Sequence, residues 1–270
     1  MSNLTVKVRA SSWGKLFDCA HAWEGTHLLG MHKPAGMRAL LGTSIHASTA
    51  AFDSARSTGS AISIDDAAGV LIDSLHQPRE EVDRSDKDLS IREAERIGLS
   101  LHTRYCAEIS PRYEFAAVEL ATAPLDIDCD NGVTITLTGT LDRSRMVGTD
   151  GGARIVDLKS GGRAVDSKGL VSTKNHAPQV GSYELLYQHT TGVPITAPAE
   201  IIGMKTLGKP VIAVGEIRDA KARMVGTAES PGYIEIASQM FRAGLFPPNP
   251  NSHLCAERYC ARWSRCAYHA

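Results

Sequence analysis

Two carboxylates and a lysine end neighbouring strand-like segments in the middle of the chain. Asp142 closes the alternating segment 133–142, while Asp157 and Lys159 lie two residues apart in the segment 154–161. Because strand side chains alternate between faces, Asp157 and Lys159 share one face. Phosphodiester hydrolysis needs two carboxylates that converge on a divalent cation, and a lysine beside them can orient the attacking water or neutralise developing charge. These segments therefore predict a metal-dependent hydrolytic site.

Each of these residues also has an ordinary structural interpretation. Asp142 closes the polar face of its segment, and charged side chains are usually exposed. A lysine beside a carboxylate can form a surface ion pair that contributes little. The setting favours a site, because Asp157 and Lys159 end a strand that follows a hairpin from the strand of Asp142. The Ser-Gly-Gly sequence after them then lets the chain turn away.

Four further polar residues are candidates for the same site. Glu119, on the preceding strand-like segment, would add a third carboxylate. Gln179 and Tyr183 lie four apart on a predicted helix and share a face, from which they could hold a phosphate or the water. Such a pair of helix side chains more often faces solvent or packs against other side chains than takes part in a site. His46 would bias a carboxylate site toward manganese over magnesium, although a lone helical histidine is more often structural.

Three cysteines lie within twelve residues near the end of the sequence, at Cys255, Cys260 and Cys266. Free thiols on a frayed tail are the alternative, but cysteines rarely cluster without a chemical cause. Four thiolates, with Cys19 as the fourth, suit a [4Fe–4S] cluster or a structural zinc ion. Such a centre would constrain a large loop by tying the two ends of the chain together.

Composition narrows the class of protein. The 270 residues are 43% hydrophobic and 22% charged with a net charge of −1, which excludes a disordered chain and a uniformly basic nucleic-acid-coating protein. A nucleic-acid enzyme with a local basic groove stays possible, and Arg163, Lys168 and Lys174 after the predicted site could follow a phosphate backbone. Residues 1–10 carry charge and lack an apolar stretch, and no apolar run reaches 18 residues. We therefore expect a cytoplasmic protein without a membrane partner.

The elements that must position these residues follow from periodicity and capping. We predict one domain over 1–270, divided into a helical region 1–110, a catalytic sheet core 111–220, and a C-terminal helix with the cysteine cluster 221–270. The predicted helices run through 13–19, 37–56, 65–75, 90–105 and 175–189 and from Ser230-Pro231 to 244; the predicted strands are 115–121, 133–142, 153–159, 201–206 and 211–217. This order predicts a mixed α/β fold in which a mixed sheet is flanked by helices.

Six motifs in this order resemble the RecB-type nucleases of the PD-(D/E)XK superfamily, specifically the branch with an iron–sulfur staple. That branch includes CRISPR-adaptation exonucleases, phage exonucleases and the nuclease domain of AddB. In chain order the motifs are the segment from Ser12 to Cys19, Gly42-x-x-x-His46, Gly139-Thr-Leu-Asp142, Val156-Asp-Leu-Lys159-Ser-Gly161, Gln179-x-x-x-Tyr183 and the three C-terminal cysteines. No single motif is specific, but six in the right order across most of the chain are much stronger.

The resemblance implies a restriction-endonuclease-like core and assigns roles to the residues. The implied ligands of Mg²⁺ or Mn²⁺ are His46, Asp142, Asp157 and the carbonyl of Leu158. The implied catalytic residues are Asp142, Asp157, Lys159, Gln179 and Tyr183, the last two touching DNA or the site. The implied ligands of a [4Fe–4S] cluster are Cys19, Cys255, Cys260 and Cys266. Four residues separate Cys255 from Cys260, where the family often has two, so zinc stays open as the less favoured occupant.

The expected function is a metal-dependent DNA exonuclease that acts on single-stranded DNA or DNA ends. Its setting would be recombination, phage DNA processing or CRISPR adaptation, with DNA as partner and proteins of recombination, replication or CRISPR adaptation as further candidates. One alternative is a non-catalytic DNA-binding or assembly module stapled by an iron–sulfur or zinc centre. Another is a metal-sensing or redox protein whose cluster is the functional part. Intact Asp142, Asp157 and Lys159 favour the enzyme.

Overall fold

The computed structural model describes residues 3–85, 89–149 and 151–269, and its larger β-sheet carries the predicted carboxylates and the lysine. The strands are β1 (Leu4–Arg9), β2 (Ala35–Gly36), β3 (Val82–Asp83), β4 (Ala117–Ala121), β5 (Leu125–Asp128), β6 (Val133–Thr138), β7 (Thr140–Val147), β8 (Gly152–Gly161), β9 (Ala199–Lys205) and β10 (Val211–Ile217). The helices are α1 (Trp13–Asp18), α2 (Ala20–His27), α3 (Met37–Ser57), α4 (Ile64–His76), α5 (Ile91–Arg104), α6 (Ala177–Thr191), α7 (Ala220–Val225) and α8 (Tyr233–Ala243).

The larger sheet has five strands in the order β10-β9-β8-β7-β4. Strands β8 and β9 are parallel, and the other neighbours are antiparallel. A smaller sheet has the order β1-β6-β5, with β1 parallel to β6, and the short strands β2 and β3 pair separately. The predicted mixed α/β architecture, with helices packed against mixed sheets, is confirmed.

The segment 133–142 is not one strand but two. It breaks at Gly139, so that β6 belongs to the small sheet and β7 to the large one. The predicted alternation survives the break, since Leu137 before it and Leu141 after it are both fully buried. A Cβ at Gly139 would lie 3.0 Å from Cε1 of Tyr183. Glycine therefore lets α6 pack directly over the point where the chain changes sheets.

Two details of the structure differ from the sequence prediction for tertiary reasons. The region 1–110 is mainly helical, but it also contains β1, which pairs along its whole length with β6. The helix predicted to start at Ser230-Pro231 begins at Tyr233, with Gly232 in extended conformation before it. Pro231 instead pairs with Gly226 in an isolated β-bridge, which holds it outside the helix.

The core lies on both faces of the large sheet. On one face Ile155 and Ile201 pack with α6, α7 and α8, and on the other Val156 and Leu158 pack with α3, α4 and α5. Strand β8 is thus buried on both faces, as is usual for the interior of a mixed sheet covered by helices. Asp157, near its carboxyl end, is consequently fully buried.

No helix among residues 3–85, 89–149 and 151–269 combines the length and the apolar character needed to cross a membrane.

Glu184 is a buried carboxyl group on α6. Its side chain accepts a 2.8 Å hydrogen bond from the backbone N–H of Lys221 at the start of α7. Burial raises the pKa of Glu184 to about 7 from its ordinary value of 4.5, and the hydrogen bond opposes that shift. The folded protein therefore holds this proton more tightly than the unfolded chain does. Its contribution to stability is present at low pH and is lost as the pH rises from about 4.5 to about 7.

We expect Glu184→Gln to gain stability relative to wild type between pH 5 and pH 8, by on the order of 1–2 kcal/mol. The amide can accept the same hydrogen bond and does not ionise. Urea unfolding of both proteins at both pH values measures the gain. Glu235→Gln, at an exposed position on α8, is the matched control and should show no such change. An equal response of the two variants would contradict the prediction.

Candidate active site

The two predicted carboxylates occupy adjacent positions on neighbouring strands. Arg143 of β7 pairs with Val156 of β8 in an antiparallel ladder. Asp142 and Asp157 are the next positions along these strands, and residues directly opposite each other project to the same face. The hairpin predicted from sequence therefore brings the carboxylates together at the end of β8.

Asp142 is held by backbone and faces His46. Its Oδ2 accepts a 2.8 Å hydrogen bond from the N–H of Leu158 and lies 3.6 Å from Nδ1 of His46 on α3. One turn before His46, a Cβ at Gly42 would lie 2.8 Å from Oγ of Ser160 at the end of β8. The glycine thus allows α3 to approach β8 closely enough for His46 to reach Asp142.

Asp157 is fully buried and pairs with Lys159. The Nζ of Lys159 forms an ion pair with Oδ2 of Asp157, whereas Oδ1 has no hydrogen-bond partner. Burial, followed by the charge of Asp142, raises the pKa of Asp157 to about 6, while Lys159 opposes the shift. A buried carboxylate oxygen without a partner is costly unless something satisfies it. A divalent cation would satisfy it, because carboxylate oxygens are its preferred ligands.

Gln179 and Tyr183 lie on the face of α6 that is directed toward the carboxylates. The side-chain nitrogen of Gln179 donates a 3.0 Å hydrogen bond to the hydroxyl of Tyr183. Burial raises the pKa of Tyr183, and the charges of Asp142 and Asp157 add to the shift. The structure thus brings this pair beside the predicted site, with Tyr183 buried and Gln179 partly exposed.

Glu119 lies at the edge of the site, on the strand that flanks Asp142. It has a positive φ of 49°, and the pairing of β4 with β7 skips it. Its Oε1 accepts a 3.2 Å hydrogen bond from Nη1 of Arg143. Burial, followed by the charge of Asp142, raises the pKa of Glu119. The strained backbone turns this carboxylate toward Asp142 without a direct hydrogen bond between the two.

Arg143 is a positioning residue that the motifs did not single out. Its guanidinium is completely buried and donates a 2.8 Å hydrogen bond from Nε to Asp53 on α3. Its Nη1 donates a 2.8 Å bond to the backbone carbonyl of Asp142. The arginine therefore ties α3, which bears His46, to the strand that bears Asp142. The available signal was a charged residue on the face where alternation places Leu141.

His176 is a second neighbour of the site that sequence analysis missed. It lies immediately before α6, one turn ahead of Gln179. Burial and the charge of Lys159 lower the pKa of His176 to about 4. At neutral pH it is therefore an uncharged imidazole close to the lysine. A histidine at a helix start carries no sequence signal that separates this role from ordinary capping.

The four cysteines predicted to form a metal centre line one cavity of about 200 Å³. It lies between α1, α2 and the tail after α8; its lining cysteines are Cys19, Cys255, Cys260 and Cys266. All four are free thiols. Burial raises the pKa of Cys255, and the other three thiols add to the shift, as expected for sulfurs that are close together. The structure thus brings both ends of the chain to one place.

Arg262 fastens the C-terminal tail to α2. It forms an ion pair with Glu24 and donates a 3.1 Å hydrogen bond to the carbonyl of His21. A Cβ at Gly25 would lie 2.4 Å from Cγ of this arginine, so glycine leaves the room for its side chain. The tail is therefore held against α2, the helix that follows Cys19, by direct contacts between protein side chains and backbone.

Neither of the two predicted metal sites is a ready-made cluster of ligands in the part of the chain that the structure describes. Within the described ranges 3–85, 89–149 and 151–269, no three His, Cys, Asp or Glu side chains lie close enough together to hold an ion as they stand. At the carboxylates the reason is visible, since Oδ2 of Asp142 accepts from Leu158 and Oδ2 of Asp157 pairs with Lys159. Binding a cation there requires these side chains to shift.

Comparison with known proteins places this geometry in a family. The chain matches the model of the PD-(D/E)XK nuclease superfamily over residues 10–267. No protein with a curated description matches it significantly. A solved structure from Eubacterium rectale, named as a candidate exonuclease, is similar with a TM-score of 0.54 at 13% identity, covering 92% of this chain and 86% of that chain. At this identity the likeness shows the fold alone, and it agrees with the predicted nuclease-like core.

Proposed function

The chain belongs to the PD-(D/E)XK nuclease superfamily, and from this premise we propose that it is a divalent-metal-dependent DNA exonuclease acting on single-stranded DNA or DNA ends. The observation that carries the proposal is the pair Asp142 and Asp157 at adjacent strand positions, with Lys159 against Asp157. Nucleases of this superfamily typically use Mg²⁺ or Mn²⁺. The donors present fit such an ion, because carboxylate oxygens suit both and an imidazole suits manganese.

The residues that would hold the cation are His46, Asp142, Asp157 and the carbonyl of Leu158. When bound, the cation would lower the pKa of water and stabilise charge on the scissile phosphate. The cation would also satisfy Oδ1 of Asp157, which is buried without a hydrogen-bond partner. Lys159, already directed at Asp157, would orient the attacking water and offset the negative charge that builds on the phosphate.

Gln179 and Tyr183 would contact the substrate from α6. Tyr183 keeps its proton at neutral pH, since the ordinary pKa of tyrosine is 10.0 and burial raises it further, so its hydroxyl can donate to a phosphate oxygen. The bond from Gln179 holds that hydroxyl in place. The neutral His176 adds no charge that would compete with Lys159. This side of the site therefore supplies uncharged donors, and Lys159 supplies the positive charge.

The experiment uses protein purified without oxygen and end-labelled linear DNA, single-stranded and duplex. We expect degradation with Mg²⁺ or Mn²⁺ and none with EDTA. The order in which labelled products appear reports the polarity of degradation. Protein that binds these ions but leaves every DNA intact would overturn the proposal and favour a non-catalytic DNA-binding module.

The biological setting is part of the proposal. Activity on DNA ends suits recombination, phage DNA processing or CRISPR adaptation, in the cytoplasm and together with proteins of those processes or of replication. These settings share a need for trimmed DNA ends, which is the property the assay above measures.

We further propose that the cysteine cavity holds a [4Fe–4S] cluster, with zinc as the alternative. The support is that four free thiols line one cavity and that Lys15, whose pKa burial lowers, lies beside Cys19 and Cys260. A nearby ammonium group favours thiolates. A metal centre in the cavity would join α1 to the C-terminal tail.

We expect Cys260→Ser to lose most of its bound metal and to melt at a temperature lower by roughly 5–10 °C, because a crosslink between distant segments is lost. Elemental analysis of anaerobic protein distinguishes iron from zinc, and calorimetry gives the melting temperature. Cys129→Ser, which changes a half-buried cysteine outside the cavity, is the matched control. Equal metal content and melting temperature in the two variants would contradict the cluster.

A further inference from the structure

A groove of about 850 Å³ opens beside the candidate active site, bounded by α3, α4, β4 and the segment 77–82. His46 and Glu119 line it as well as the site, so the two are continuous. We call this groove the side groove. Its volume is enough for a nucleoside, and one of the residues proposed to bind the cation, His46, is part of its lining.

The floor of the side groove is formed by small apolar side chains. Ala39, Ala47 and Ala50 recur along one face of α3, and Val70 of α4 lies across from them. Ala47 and Ala50 lie one turn apart, and Ala39 lies about two turns before Ala47 on the same face of the helix. With Leu40 on the same helix, these side chains give the side groove an apolar surface. It suits a flat, uncharged ring system such as a nucleobase.

The rim of the side groove is acidic. Asp73, Glu80 and Glu81 line it together with Glu119, and Arg79 is the only lysine or arginine among its lining residues. Their carboxylates repel a phosphate group, and the repulsion is strengthened by the concave shape. The side groove therefore accepts the neutral part of a nucleic acid and rejects a continuing phosphate backbone.

The opposite side of the site has the opposite charge. Lys205 lies in the register position beside Gly161 at the ends of β9 and β8, and Lys209 follows on the connecting turn. The segment 162–176, which leads from β8 to α6, adds Arg163, Lys168 and Lys174. We call this set the basic edge. Its cations attract the phosphates of a strand without regard to sequence.

We propose that the side groove receives the terminal nucleoside of a DNA strand that ends in a free hydroxyl, while the phosphates of the strand lie over the basic edge. The inference rests on the proposed nuclease function and deepens it. This placement sets the first phosphodiester bond at Asp142 and Asp157. A strand without an end cannot be placed in this way, because its backbone would have to continue past the acidic rim.

The same placement determines which bond breaks. Water adds to the phosphorus, the bond from phosphorus to the oxygen of the remaining strand breaks, and that oxygen takes up a proton. The phosphate leaves with the released nucleotide. The remaining strand again ends in a hydroxyl, so the next nucleoside can enter the groove. A strand that keeps the phosphate would carry a charge that the rim rejects at the next cycle.

The first experiment compares initial rates on linear and circular single-stranded DNA, and on linear DNA with and without a terminal phosphate. We expect wild type to prefer the linear hydroxyl-ended strand and to release nucleoside monophosphates. Neutralising the rim with Asp73→Asn, Glu80→Gln and Glu81→Gln together should reduce both preferences at least about tenfold, since an electrostatic barrier of about 1.4 kcal/mol corresponds to that factor. The control combines Glu229→Gln, Glu235→Gln and Glu257→Gln at exposed positions.

The second experiment measures binding without cleavage. Lys159→Ala protein with Mg²⁺ is mixed with strands that carry 2-aminopurine at the terminal or at an internal position. We expect the fluorescence of the terminal base to change and that of the internal base to stay constant. Ala39→Phe places a bulky side chain in the side groove and should abolish the fluorescence change. Ala243→Phe, at an exposed position of α8, should leave the change intact.

The outcomes separate the two proposals. Wild type that degrades no DNA overturns the nuclease function. Wild type that degrades linear DNA, but whose preferences survive neutralisation of the rim, overturns the groove assignment alone. A terminal base whose fluorescence is the same in Lys159→Ala protein with and without Ala39→Phe overturns it too.

Discussion

Asp157→Asn is expected to lower the rate of DNA cleavage by on the order of 10³-fold or more, because the proposed cation would lose a charged ligand at the scissile phosphate. The fold should survive this change. Asp157 is fully buried and burial raises its pKa, so an amide in its place removes the cost of a buried charge. An inactive protein of undiminished stability is therefore expected. That combination separates a lost ligand from a damaged fold.

Lys159→Ala tests the other half of the ion pair. We expect a loss of about 10²–10⁴-fold in turnover, since a positioned side chain that assists proton transfer contributes that much. End-labelled linear DNA with Mg²⁺ gives the rate, and urea unfolding gives the stability. Asp126→Asn, on an exposed position of β5, is the control and should cleave like wild type. Asp157→Asn or Lys159→Ala protein that cleaves at the wild-type rate would refute the assigned site.

Arg143→Met is expected to lower the free energy of unfolding by about 3–5 kcal/mol, because it leaves the carboxylate of Asp53 buried without its countercharge. Both side chains are completely inaccessible. Tyr105 and Ser110 each donate a 2.6 Å hydrogen bond to Asp53, so the carboxylate is held in place and cannot turn to solvent. Activity should fall as well, because Arg143 joins α3 to the strand of Asp142.

A double-mutant cycle identifies the cause. Asp53→Asn combined with Arg143→Met removes both charges and should recover at least about half of the lost stability, since the uncompensated charge is the main cost. Arg145→Met is the control. Arg145 on β7 pairs with Glu200 on β9, but its side chain is 30% exposed. We expect this substitution to lower the free energy of unfolding by about 1 kcal/mol or less. Additive losses in the cycle would show that the two residues act independently.

Local sequence patterns were sufficient to predict which face of a strand each side chain occupies and which type of fold the chain adopts. Alternation placed Asp142 on the half-buried face and Leu141 in the core, and the triplet at Asp157 placed Lys159 beside it. Side-chain direction in a strand depends only on position along that strand, so it can be predicted from neighbours in sequence. The order of six motifs then indicated the PD-(D/E)XK superfamily, which the family comparison identified.

Partners distant in sequence could not be predicted from such patterns. The alternation of 133–142 is uninterrupted, yet the strand divides at Gly139 between two sheets, because α6 packs over that point. The pairing of β1 with β6 joins segments more than 120 residues apart. Register and packing between distant segments depend on the whole set of tertiary contacts, which periodicity along the chain does not contain.

The candidate active site also combines residues that local sequence patterns predicted with neighbours that only the tertiary structure shows. Residue types and spacing predicted the carboxylates, the lysine and the four cysteines as candidate site residues, since each class of chemistry requires particular donor atoms. The buried arginine behind Asp142, the imidazole of His176 beside Lys159 and the acidic rim of the side groove depend on how α3, α4 and α6 approach the sheet. Burial and proximity set the charge of a group, and both arise only when separate elements pack together.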